Sequence, residues 1–222
     1  MTPLTARGSE RGTALICVLM VTTLLATMSA ALVLVTMSET MASANHGAAQ
    51  QALYAADAAL EETIGELRSA DWGAIPGATV SACLQDGAQA PRAPDGRILN
   101  LSALAAERQA ASNASFAPSP NRPVWHLFGH GPLSDLAPAG LIVPPAYLLV
   151  WVADDGDERD GDAERDSNDV VVVRAEAFGA AGAHRSVEAT VALQTVRGAA
   201  AAGVAPPAPR RAVRVLSWRE VR

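Results

Sequence analysis

The densest run of chemistry-bearing side chains in this chain is Asp154-Asp-Gly-Asp-Glu-Arg-Asp-Gly-Asp-Ala-Glu-Arg-Asp-Ser-Asn-Asp169. Hard cations such as Ca²⁺ take about six to eight oxygen ligands, and Asp alternating with Gly at a sharp turn supplies them. Asp155, Asp157, Asp160, Asp162 and Asp166 are the candidate ligands. The run departs from the EF-hand pattern, because Arg159 occupies the third alternate position and no glutamate arrives at the twelfth. Arg159 and Arg165 offset part of the charge, so the competing reading is a solvated acidic loop with no metal.

Other reactive side chains are sparse. His126 and His130 have a spacing that binds metal on a helix, but they flank Leu127-Phe128-Gly129 at a strand end and are not expected to share a face. Cys17 lies in an apolar run and Cys83 far beyond it, so the two cannot pair, and Cys83 reads as a small buried hydrophobe. There is no G-x-S-x-G, Walker loop, G-x-G-x-x-G or C-x-x-C. The carboxylates crowd one hydrophilic segment rather than opposing each other across an apolar cleft, so no enzyme activity is expected. Trp72, Trp125, Trp151 and Trp218 are most simply core or edge residues.

The elements that must position these groups begin with a long apolar run. No charged residue occurs from Gly12 to Ser38, and Thr13–Met37 is longer than the ~20 residues a helix needs to cross the hydrocarbon core. It also exceeds the ~7–15-residue core of a secretory signal, and no small-x-small site followed by a break in helical character closes it, so a retained membrane helix is expected. Arg7 and Arg11 precede it and Glu39 is the first charge after it, which predicts a cytoplasmic N-terminus and an exported remainder. That remainder suffices for one modest domain. The net charge of −6 and the absence of lysine argue against nucleic acid as a partner.

Helical character does not stop at Met37. Between Ser38 and Leu67 there is no proline, alanine recurs, and Ala49, Leu53, Ala56, Leu60, Thr63 and Leu67 form a narrow 4-3-4-3-4 stripe with Ile64 beside it. The helix is expected to end at Asp71-Trp72-Gly73, before Pro76. Residues 71–122 form a loop-rich connection containing a short helix over Leu99–Gln109, with Ser102 as its cap. Strand patterns follow over Val124–Phe128, Tyr147–Val152, Val170–Phe178, Ser186–Val196 and Arg211–Val221, with a hairpin loop at Gly179–Arg185. Antiparallel strands packed on the second half of the helix make an α+β fold.

The stretch Glu10-Arg-Gly12-Thr13-Ala-Leu15, the apolar run to Met37 and Gln51-Ala-Leu-Tyr-Ala-Ala-Asp57-Ala-Ala-Leu-Glu61 together resemble the N-terminal region of PilX-type minor pilins of the type IV pilus. The resemblance covers about the first quarter of the chain. It implies a prepilin-type leader over 1–12, a membrane or fibre-core half-helix over 13–37, an amphipathic half over 38–70 and a β-rich exported domain over 123–222. A prepilin peptidase would cut after Gly12, leaving Thr13 as a mature, commonly N-methylated terminus. Partners would be other pilins, met through the Thr13–Met37 helix, with the precursor held in the inner membrane. Major pilins usually carry Glu at the fifth mature position, where this chain has Cys17. Its loss fits a low-copy minor subunit or a tip-type pseudopilin of a type II secretion system. The competing class is a single-pass, membrane-tethered binding or sensor domain that needs no cleavage.

Overall fold

The computed structural model describes residues 10–72, 75, 77, 80–115, 122–158, 160–196 and 210–221, with the side chains of residues 10 and 11 left aside. The chain divides into two compact units, Met1–His46 and Gly47–Arg222. Helix α1, Glu10–Leu67, supplies all that is described of the first unit and the opening element of the second.

In the first unit every residue from Gly12 to His46 is exposed. This part of α1 belongs to the one described helix long and apolar enough to cross a membrane. Its hydroxyls do not compromise that property. Thr23 donates to the Leu19 carbonyl at 2.9 Å, Thr27 to Leu24 at 2.8 Å, Ser29 to Leu25 at 2.8 Å and Thr36 to Leu32 at 2.9 Å. Back-bonding to the preceding turn satisfies these hydroxyl donors in a medium without water.

The second unit is α+β. Strands β1 (His126–Pro132), β2 (Ala146–Asp154), β3 (Val170–Gly179), β4 (His184–Val196) and β5 (Arg210–Val221) form one antiparallel sheet in sequence order. The end of α1 covers one face. There Ala52, Ala56, Ala59, Leu60, Ile64 and Leu67 pack with Leu148, Val150, Val152, Val173 and Val187. Ala56, Leu60, Thr63 and Leu67 of the expected stripe are buried, whereas Ala49 and Leu53 are only partly so. Ala52, Ala55 and Ala59 widen the buried face, because a helix lying on a sheet needs a broader stripe than a coiled-coil seam. Thr63, the polar interruption, donates to the Ala59 carbonyl at 2.8 Å. The helix stops at Leu67, whose carbonyl, left without an intrahelical partner, accepts the Ala70 N–H at 3.3 Å and the Trp72 indole N–H at 2.8 Å.

Helix α2 (Leu101–Ser115) lies on the other face. Leu101, Leu104 and Ala105 pack there with Tyr147, Leu149, Trp151 and Phe178. All nine residues of β2 are therefore buried, which explains its nearly continuous apolar sequence. The helix is longer than Leu99–Gln109, and its cap is Asn100 rather than Ser102: Asn100 Oδ1 accepts the Ala103 N–H at 3.0 Å. Its last turns are held by long-range contacts, with Gln109 Nε2 and Ser112 Oγ donating to the Pro123 carbonyl at 3.0 and 3.2 Å.

Strand β1 runs two residues later at its start, and four later at its end, than its pattern suggested, through Gly129, Gly131 and Pro132. The two glycines are needed where residues 81–86 run alongside. His130 N–H donates to the Leu84 carbonyl at 3.1 Å, and Asp86 N–H to the His130 carbonyl at 2.9 Å. A Cβ on Gly129 would lie 2.6 Å from Ser81 Cβ. At the β3–β4 turn, Ala181 and Gly182 take φ of 53° and 73°, and Gly179 N–H donates to the Ala183 carbonyl at 2.8 Å.

Candidate functional site

The acidic segment joins β2 to β3 and folds so that its carboxylates are sorted by depth. Asp154 (0% exposed), Glu158 (7%) and Asp166 (6%) point inward, and each offers an oxygen within 4.8 Å of the others. Of the ligands expected from sequence, only Asp166 belongs to this group. Asp155 is buried beside it but is engaged by Asn168 Nδ2 at 2.8 Å. Asp157, Asp160 and Asp162 are exposed. Asp160 and Asp162 close local turns, accepting the N–H groups of Asp162 and Glu164 at 3.0 and 3.2 Å. Arg159 lies outside the described residues.

Asp154 ends β2, and its Oδ1 accepts the Asp155 N–H at 2.9 Å. Glu158 Oε1 accepts both the N–H of Ser167, at 3.0 Å, and its hydroxyl. Asp166 Oδ1 accepts the N–H groups of Asn168 and Val170 at 3.2 and 3.1 Å, while its own N–H donates to the Ile75 carbonyl at 3.1 Å. Burial pushes the Asp166 carboxyl up to about 6, against the pull of those two N–H groups and with help from the Glu158 and Asp169 charges. Three oxygen donors out of solvent suit a hard cation. Alternation of Asp with Gly points to the middle of the loop rather than to Asp154 and Glu158. The legible signal is a carboxylate directly continuing the apolar strand Trp151-Val-Ala-Asp154.

The two histidines do lie on opposite faces, for a reason the spacing does not contain. In an unbroken strand, residues four apart share a face. A bulge between Leu127 and Gly129 shifts the phase, setting His126 opposite Val152 and His130 opposite Leu149. His130 instead joins a short relay. The Tyr147 phenol donates its one proton to Asp86 Oδ2 at 2.7 Å and so accepts from His130 Nδ1–H at 2.8 Å. The Tyr147 hydrogen bond, with the Ala88 N–H, holds Asp86 below the ordinary carboxyl range, and burial lowers His130.

A second polar cluster lies between α2 and the sheet, along a groove of ≈ 1040 Å³. Arg108 pairs with Glu176 Oε1 and lies over the Trp151 and Trp125 rings at 5.2 and 5.9 Å, while His184 Nε2 meets Glu176 Oε2 at 3.0 Å. The triad is not legible in the sequence because its members come from three separate elements, α2, β3 and β4, and only packing brings them together. Cys83 is exposed, not buried, with Sγ donating to Glu62 Oε1 at 3.4 Å. It sits where Glu66 anchors the segment, accepting the Ser81 hydroxyl at 2.9 Å and the Ala82 and Cys83 N–H groups at 3.0 and 3.1 Å.

Gly12, Thr13 and Cys17 lie on α1 and are exposed. No family model, no curated protein and no solved structure matches this chain.

Proposed function

We propose that this chain is a minor pilin, a non-enzymatic structural subunit that takes part in type IV pilus assembly or function, or the tip-type pseudopilin of a type II secretion system. The observation that carries the reading is the contrast along one helix. From Gly12 to Ser38 it is uncharged, with its surface exposed, while Ala52–Leu67 buries a defined face within its own domain. A surface that apolar is stable only in lipid or against other apolar helices. The Glu10-Arg-Gly12-Thr13 sequence supports the same reading through its resemblance to the PilX type.

On this reading the precursor is held in the inner membrane, N-terminus cytoplasmic and β-rich domain exported. A prepilin peptidase cuts after Gly12, and Thr13–Met37 then packs against the helices of other pilins. Cys17 brings no charge into that apolar core, so no compensation by a neighbour's terminal amine is required. The test is intact mass and N-terminal sequencing of the chain expressed with and without a prepilin peptidase. A mature chain beginning at Thr13 is expected. Retention of Met1–Gly12 while a control prepilin is processed would replace this reading with a single-pass tether.

A further inference from the structure

We propose that Asp154, Glu158 and Asp166 form a binding site for a hard divalent cation, calcium by its three-carboxylate donor set, that locks the β2–β3 connection into the exported domain. Three carboxylates, each more than nine-tenths out of solvent, lie with oxygens within 4.8 Å of one another. Buried like charges at that spacing repel strongly. Neither Glu158 nor Asp166 has an ion-pair partner among the described residues.

The second observation is Glu158 Oε2. It is fully shielded from solvent and has no hydrogen-bond partner, although Oε1 of the same carboxylate is satisfied by Ser167. A buried acceptor left open in this way is costly, and a ligand that accepts its lone pair removes the cost. A carboxylate oxygen takes either a proton or a metal there. Mutual separations below 4.8 Å let all three oxygens reach one ion, and a set of three carboxylates favours calcium over magnesium, which keeps several of its waters and takes one or two carboxylates. Backbone oxygens and water would complete the shell.

The site differs from the alternating, exposed carboxylates of the same loop, which hold only their own turns. Its consequence is structural. Asp166 N–H donates to the Ile75 carbonyl, so a cation on Asp166 fastens the loop to the connection that follows α1. The inference does not depend on how the N-terminal helix is used.

The test uses the full chain in detergent micelles, stripped with EDTA and titrated with CaCl₂ or MgCl₂, read by Tm and by calorimetric stoichiometry. One calcium per chain and a Tm rise of about 5–10 °C at 100-fold over Kd are expected, with a smaller response to magnesium. Glu158→Gln and Asp166→Asn should each abolish the calcium response, while Asp160→Asn and Asp162→Asn keep it. Loss of the response in the Asp160 or Asp162 variants alone would overturn the assignment. So would a wild-type Tm indifferent to calcium, because the cluster would then be held by a shared proton. If a core variant fails to fold, the wild-type stoichiometry and Tm response still decide.

Discussion

Arg108 on α2 and Glu176 on β3 form an ion pair in which the partners are only 8% and 1% exposed, and it fastens α2 to the sheet. Removing one member of such a pair strands the other in low dielectric. Glu176→Ala is therefore expected to cost about 3–5 kcal/mol. The double substitution Arg108→Met/Glu176→Met should recover most of that loss, because apolar replacement of both partners removes the desolvation penalty. Denaturant titration of the full chain in detergent checks both. Equal stability of Glu176→Ala and wild type would show that the pair contributes nothing.

His184 stacks on Phe178 with ring centroids 4.3 Å apart and contacts the same glutamate. Although the His184 side chain is 41% exposed, desolvation of its Phe178-stacked, inward edge, and then the positive fields of Arg97, Arg174, Arg108 and Arg185, pull its imidazole down to about 4, since Glu176 is already neutralised by Arg108. The folded protein thus keeps His184 neutral where the unfolded chain, near 6.5, takes up a proton. Stability from this group should be fully present above pH 6.5 and decline as pH falls toward 4. NMR titration of the His184 ring should give a midpoint near 4, and His184→Gln should flatten that limb of the stability profile. A midpoint above 6.5 would mean that Glu176 dominates instead.

The Cys83 thiol is pushed up to about 11, first by its hydrogen bond to Glu66, then by partial burial and by Glu62. Against an unperturbed 9.0, that leaves about 100-fold less thiolate at pH 8. In a Cys17→Ser background, alkylation of Cys83 should be slow for an exposed cysteine, and Glu62→Gln should speed it. A rate equal to that of a free thiol would refute the electrostatic account.

Gly129 is required by crowding. A methyl there would meet Ser81 Cβ at 2.6 Å and the Leu84 carbonyl at 2.8 Å. Gly129→Ala should cost about 1–3 kcal/mol by forcing residues 81–84 off β1. Gly87→Ala, where a Cβ meets nothing within 4 Å, should be close to neutral in the same thermal melt.

The N-terminus of α2 offers a sharp comparison. Asn100→Ala should cost about 1 kcal/mol by opening the cap, and Ser102→Ala should cost little, both read by denaturant midpoint. Reversal of that order would restore Ser102 as the cap.

Local pattern settled the elements of this protein. Unbroken apolar sequence over Thr13–Met37 and alanine-rich continuation to Leu67 dictate one helix, because neither contains a proline and alanine outweighs the two glycines of the second half. Strand period and turn residues likewise defined the antiparallel run from Tyr147 onward, since alternation and the Gly179–Arg185 hairpin act over neighbouring residues. Tertiary structure decided what depends on distant partners. Residues 81–86 lying against Gly129 extended β1 through glycines and a proline. The β1 bulge placed His126 and His130 on opposite faces, and Pro123 prolonged α2 to Ser115. Burial of Asp154, Glu158 and Asp166 together, with Asp160 and Asp162 outside, follows from how the loop folds over the sheet's end. A sequence shows that carboxylates are near one another along the chain, but only packing determines which of them lose water.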